Sequence, residues 1–156
     1  AEVAAAGADV IALDATLRPR PNGENFIEVV TRIKQELNLP VMADVSTFSE
    51  GLHAAEVAGA DFVGTTLSGY TNATEHLTAA AAKPDFELIE TLARRVSVPV
   101  ICEGRVRSTD DLRRAFDCGA FAVVVGNAIT GIDQLVKQFA SATPAFEAAG
   151  VQSLAT

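Results

Sequence analysis

Three carboxylates close short apolar runs in this sequence: Asp14 ends DVIALD, Asp44 lies at the end of PVMADV, and Glu103 ends VPVICE. Each run has the length and β-branched content of a strand. If these strands are parallel, their carboxylates gather around one mouth at the C-terminal end of the sheet, where an active site can form. A fourth run, DFVGTT, ends in the hydroxyls of Thr65 and Thr66, and a fifth, FAVVV, is followed by Gly126 and Asn127. Any single strand-end carboxylate also serves as a helix cap or a solvated loop residue. Glu103 carries the sharper signal, because it follows an apolar run and precedes Gly104, so its side chain is expected to point into the mouth.

Gly104 and Gly126 follow the last two strands. Glycine lets backbone N–H groups approach an anion, and a helix start adds a favourable dipole. Gly104, Gly126 and Asn127 are therefore the expected phosphate ligands, with the amides of Asn127, Ala128 and Ile129 turned toward the anion. The alternative is a pair of ordinary tight turns. A Walker-type site is excluded, since no glycine is followed by Lys and then Ser or Thr. The segment 67–84, LSGYTNATEHLTAAAAKP, is long and without periodicity, as binding loops often are. Ser68, Tyr70 and Thr71 are placed to reach a sugar hydroxyl if it is such a loop rather than plain surface. His53 and His76 are isolated histidines on different segments, so no metal is expected.

The elements that must hold these residues alternate. Strands are expected near 9–14, 40–45, 61–66, 98–103 and 121–125, and helices near 24–38, 49–59, 85–96, 108–118 and 132–141. Ser49 and Ser108 are expected N-caps, and Gly59 and Gly119 are expected to close helices before a strand. Gly7-Ala8-Asp9 echoes Gly59-Ala60-Asp61 and Gly119-Ala120-Phe121, while PVMAD echoes PVICE, so the repeating unit is a pair of βα modules. The pattern predicts an α/β fold with a parallel sheet. An open doubly wound sheet shares these local signals, but polar residues at several strand ends favour a (β/α)8 barrel, or TIM barrel. Five strands do not close a barrel of eight. The expectation is a partial barrel over 1–141, strands four to eight, with an Ala-rich tail over 142–156 and the other three units supplied from outside this sequence.

Composition narrows the function classes. The 156 residues carry a formal charge of −8 and only scattered Lys and Arg, which argues against nucleic-acid binding. No apolar run approaches a membrane span, and no membrane partner is expected. Two cysteines, Cys102 and Cys118, without ligand spacing read as thiols of a reducing compartment, and the expected location is the cytoplasm.

Together, ALDAT with RPRP, then MADVST, GTTLSGYT, PVICEGR and AVVVGNAIT resemble the successive strand-end motifs of the N-acylglucosamine-6-phosphate 2-epimerase family. The likeness runs in order over about residues 1–140, and GTTLSGYT is its most specific piece. It implies a barrel of the ribulose-phosphate-binding type and an isomerase of sialic acid catabolism. Its substrate would be a phosphorylated amino sugar, N-acetylmannosamine 6-phosphate, converted to N-acetylglucosamine 6-phosphate by proton removal and return at carbon 2. No cofactor is implied, and a homodimer is compatible with it. On this resemblance Glu103 and Asp44 are the catalytic carboxylates; Asp14, Thr65, Thr66, Tyr70 and Arg105 contact substrate; Gly104, Gly126 and Asn127 hold phosphate. The family's catalytic Lys, with a Gln and an Arg, would lie before residue 1, and Lys34, Lys83 and Lys137 are not expected to replace it. Gly131 stands where the family carries Arg after AIT. The competing readings are another phosphosugar barrel, an isomerase or lyase, and a non-catalytic half-barrel that binds phosphorylated ligands or self-associates.

Overall fold

The computed structural model describes residues 1–78 and 83–144. After a short helix α1 (Glu2–Ala5), five strands alternate with helices: β1 (Ile11–Asp14), α2 (Phe26–Arg32), β2 (Val41–Asp44), α3 (Phe48–Glu56), β3 (Phe62–Gly64), α4 (Phe86–Arg95), β4 (Val100–Cys102), α5 (Thr109–Asp117) and β5 (Ala122–Val123). Two helices follow, α6 (Asn127–Thr130) and α7 (Ile132–Ser141). The strands pair in parallel in the order β1-β2-β3-β4-β5. A doubly wound sheet reverses its strand order at a switch point, and this one does not. With right-handed crossovers, an unreversed order keeps every helix on one face of the sheet, which is the build of a barrel wall.

Strand alternation explains which residues face that helical layer. Val41, Ala43 and Val45 are fully buried, as are Val63 and Cys102; all but Val41 join Ala54 of α3, Ile89 and Leu92 of α4 and Ala115 of α5 in one core, while Val41 packs with Val30 of α2 and Ala58 in a smaller one. The intervening positions, among them Met42, Asp44 and Glu103, face the other way, toward the barrel interior. The core between sheet and helices thus fixes which side chains reach the mouth, since a one-residue slip would exchange the two sets.

Helix ends follow local chemistry. Ser108 caps α5 in a capping box with Asp111, as its spacing predicts. The expected Ser49 cap is displaced: Thr47 caps α3 in a box with Glu50, so Ser49 falls inside the first turn. Thr47-x-x-Glu50 is the fuller capping pattern, because its carboxylate returns to the cap's own N–H. The predicted helix over 24–38 is α2 extended by a π turn (Ile33–Leu37), ended by Asn38 with φ 52°. Gly59 and Gly119 adopt φ of 73° and 95°, the left-handed conformation expected of them. The Ala-rich tail lies, from residue 145, outside the described residues. Among the described residues no helix is long and apolar enough to cross a membrane.

β1 and β5 are the edges of the sheet. On α7, Ile132, Val136 and Phe139 stand out into solvent at helical spacing, with Phe121 exposed beside β5.

Candidate active site

The β1–β2 register sets Asp14 directly beside Asp44, and the β2–β3 register sets Asp44 beside Gly64. Asp14 is exposed and takes its partners from its own loop. It accepts bonds from the Thr16 N–H at 2.8 Å, the Thr16 hydroxyl at 2.6 Å and the Arg18 guanidinium at 2.5 Å. Burial pushes its carboxyl up, but the Thr16 bonds and the Arg18 charge outweigh that and hold it below the usual carboxylate range. Asp44 has one such donor, the Thr66 hydroxyl at 2.7 Å. Burial pushes its carboxyl up to about 6, the Thr66 bond opposes the rise, and the charges of Glu103 and Asp14 add to it. The pair therefore divides into a carboxylate held ionised and one poised to change protonation near neutrality, the division that proton-transfer sites use.

Glu103 follows β4 and lines a cavity of about 370 Å³ at the strand ends, together with Thr66, Tyr70, Gly104, Arg107 and Asn127. Arg105, Gly126, Ala128 and Gln134 complete much of its wall. Asp14, Asp44 and Thr65 are not in that lining. Asp44 reaches it through Thr66, and Thr65 is buried below it, bonded to the Glu103 backbone. Gly104 adopts φ 104°, a conformation that other residues resist. Gly126 instead has φ −96°, and the space where its side chain would project is open. Asn127 and Ala128 line the cavity. Ile129 does not offer its amide there, because that N–H donates to the Gly126 carbonyl at 2.9 Å inside the helix turn. Gly131 has a local reason: a Cβ there would meet the Asn127 carbonyl oxygen at 2.6 Å, so the α6–α7 turn as built has no place for an arginine.

The loop after β3 is held down from β4. Arg105, with φ 60°, donates from Nε to the Lys83 carbonyl at 2.9 Å and from Nη1 to the Ser68 carbonyl, and lies 5.9 Å over the Tyr70 ring. A non-glycine residue in the left-handed region costs energy, which these contacts offset. Tyr70 stays half exposed at the cavity lip. Ser68 and Thr71 do not reach a ligand, because both are buried; Ser68 donates to Asp85 at 2.6 Å and Thr71 to Ser46 at 2.9 Å.

Two buried carboxylates that the strand-end reading passes over brace these loops. Glu50 accepts from the N–H groups of Leu17, Ser46 and Thr47 at 2.9–3.0 Å and from the Ser46 hydroxyl at 2.8 Å, joining the loops after β1 and β2. Asp111 accepts from the Ser108 and Arg107 N–H groups and from Lys83 Nζ at 2.9 Å, joining the loop after β4 to the end of the β3 loop. Burial pushes both up, and their donors bring both below the ordinary range. The capping-box spacing is the signal by which each is legible. Arg18, Arg107 and Gln134 carry no comparable signal.

No lysine among the described residues stands at the strand ends with a free ammonium. Lys34 bonds Gly59 and Asp61 where β3 begins, at the opposite end of the sheet, Lys83 is paired with Asp111, and Lys137 is on α7. No cluster of His, Cys, Asp or Glu among the described residues suits a metal ion. Burial pushes the Cys102 thiol up to about 11, so it is unreactive core. A larger groove of about 590 Å³ lies between the start of α3, the loop after β3 and α4, and none of the three strand-end carboxylates lines it.

A family model described as "NanE: Putative N-acetylmannosamine-6-phosphate epimerase" matches residues 1–145. A relative from Synechococcus elongatus, named as a putative N-acetylmannosamine-6-phosphate 2-epimerase, is 53% identical over 141 residues, covering 90% of this chain and 59% of its own. One of the same name from Cutibacterium acnes is 50% identical over 130 residues, covering 82% and 55%. The solved structure of the N-acetylmannosamine-6-phosphate 2-epimerase from Clostridium perfringens superposes with a TM-score of 0.78 at 45% identity, covering 88% of this chain and 57% of that one. Inosine 5′-monophosphate dehydrogenase from Legionella pneumophila shares the fold alone, with a TM-score of 0.60 at 20% identity over 81% of this chain and 38% of that one. The chain thus spans less than two thirds of the length of the relatives it matches. With matched family residues running from the first strand through α7 and a barrel wall of the same shape, this chain belongs to the N-acetylmannosamine-6-phosphate epimerase family.

Proposed function

We propose that the protein interconverts N-acetylmannosamine 6-phosphate and N-acetylglucosamine 6-phosphate, removing the proton at carbon 2 of the opened sugar and returning it to the other face. The observation that carries this is the juxtaposition of Asp44, poised near neutrality, with Glu103 on a cavity walled by Gly104, Gly126 and Asn127. A proton on a carbon next to a carbonyl is acidic enough to be moved by side chains, because the neighbouring oxygen takes up the charge as an enediolate. The chemistry requires no redox cofactor. Phosphate is held by Gly104, Gly126 and Asn127, and the sugar by Tyr70, Arg105 and the Asp14 rim. Glu103 and Asp44 relay the proton, and a lysine from outside residues 1–156 is the base, since Lys34, Lys83 and Lys137 all stand away from the mouth or are paired there. Its place is the cytoplasm, in degradation of amino sugars of the sialic acid type, and free thiols at Cys102 and Cys118 agree with that compartment.

The test follows carbon 2 directly. Protein expressed from its complete gene is incubated with N-acetylmannosamine 6-phosphate in deuterated water, and incorporation at carbon 2 is read by NMR. Glu103→Gln is expected to slow incorporation about 10²–10⁴-fold, the range for loss of a positioned acid or base. Incorporation at the wild-type rate would remove Glu103 from the chemistry, and none in the wild type would end the epimerase reading.

A further inference from the structure

We propose that the end of β3, Gly64-Thr65-Thr66, positions both candidate proton-transfer carboxylates, Thr66 and Gly64 seating Asp44 while Thr65 fixes Glu103. The reaction side of this rests on the epimerase reading above; the positioning rests on geometry.

Thr65 donates its hydroxyl to the Glu103 carbonyl at 3.1 Å and accepts the Glu103 N–H at 3.2 Å. Its own N–H continues the parallel ladder to the Ile101 carbonyl at 3.1 Å. β4 ends at Cys102 and its backbone register with β3 at Ile101, so this side chain extends β3–β4 pairing to Glu103, which lines the cavity. A buried hydroxyl engaged on both sides of one residue is a clamp for that residue's backbone, and a sugar has no access to it.

Thr66, one residue on, faces the interior. Its hydroxyl donates to Asp44 Oδ1 at 2.7 Å, and that bond opposes both the burial of Asp44 and the charges of the two carboxylates facing it, Glu103 from β4 and Asp14 from β1. Gly64 supplies the room. A Cβ there would lie 2.8 Å from Asp44 Oδ1 and 3.1 Å from Thr66 Oγ1, so only a bare α-carbon lets the carboxylate lie across β3 to its donor. Thr65 and Thr66, both expected as sugar ligands, are positioning residues on this account, and alternation along the strand gives each its own carboxylate.

The experiment uses protein expressed from its complete gene. Thr66→Val keeps shape and removes the donor, and Thr66→Ser keeps the donor. Followed by carbon NMR, the Asp44 carboxyl is expected to titrate at higher pH in Thr66→Val and to return to its wild-type position in Thr66→Ser. In turnover, Thr66→Val lowers kcat about tenfold and moves the acid limb of the pH profile upward, while KM stays within about twofold. An unmoved Asp44 titration in folded Thr66→Val overturns the proposal, and so does a raised KM with unchanged kcat, the mark of a lost sugar contact. Thr65→Val, or Thr65→Ala should the first not fold, is expected to speed hydrogen exchange at the Glu103 amide, with Thr65→Ser restoring protection. Equal protection in all of them overturns that half. Because titration and exchange need no substrate, a protein that passes both yet leaves the sugar unchanged refutes the epimerase reading and keeps the positioning.

Discussion

At the scale of single residues, Asp44 makes the sharpest demand on stability. Its folded pKa of about 6 lies above its ordinary value of 3.8, so the fold prefers the protonated form. That contribution is complete below the ordinary value and is lost as pH rises through about 6. Asp44→Asn removes the ionised form, and it is expected to raise unfolding free energy by about 1–3 kcal/mol near pH 8 and by little near pH 4, measured by urea unfolding at both. A gain independent of pH would mean that the carboxyl is not the titrating group. Gly126→Val projects a side chain into open space at the cavity wall, so it is expected to raise KM for the phosphosugar about tenfold or more with the fold intact. That Asp14, Asp44 and Glu103 stand at strand ends, with Gly104 and Gly126 in the loops beyond β4 and β5, was legible because a strand end is a place that local pattern can find. Ser68, Thr71 and Thr65 were misplaced by the same reasoning, because whether a hydroxyl meets solvent depends on residues distant in sequence: Asp85 for Ser68, Ser46 for Thr71 and Glu103 for Thr65.

At the scale of elements, Glu50 and Asp111 do the same task in two successive pairs of modules, each closing a capping box while accepting from a neighbouring loop. Replacing Glu50 by Ala leaves three N–H groups without that acceptor, and it is expected to cost about 2–4 kcal/mol in thermal or urea unfolding. Since the Glu50 carboxyl is held below its ordinary value of 4.5, its contribution is present above that value and fades as pH falls through the folded one. Acid is therefore expected to free the loops after β1 and β2 in wild type but to change little in Glu50→Ala, a difference that limited proteolysis can read. Strands and helices emerged from sequence with the right order and nearly the right bounds, since β-branched runs and glycine stops are local signals. The Ser49 cap and the π turn of α2 did not: two hydroxyls compete two residues apart at the first, and at the second nothing in Ile33–Leu37 distinguishes a wider turn from an ordinary one.

At the scale of the whole molecule, β1 and β5 present open edges, and α7 turns Ile132, Val136 and Phe139 to solvent. Unpaired edges and apolar stripes recruit partners. The 156-residue chain by itself is expected to associate in light scattering and to turn over N-acetylmannosamine 6-phosphate at least 10²-fold more slowly than protein from the complete gene, roughly the loss that follows removal of a positioned base. A monomer working at full rate would mean that the base is already within these residues. The unreversed strand order has a consequence for synthesis. Each strand pairs with the one made just before it, so a chain leaving the ribosome meets its partner ready and never waits for a distant segment. By the time Thr66 emerges, the Asp14–Asp44–Gly64 rung has every strand it needs, and the acidic half of the mouth can assemble while α4 and all that follows have yet to emerge.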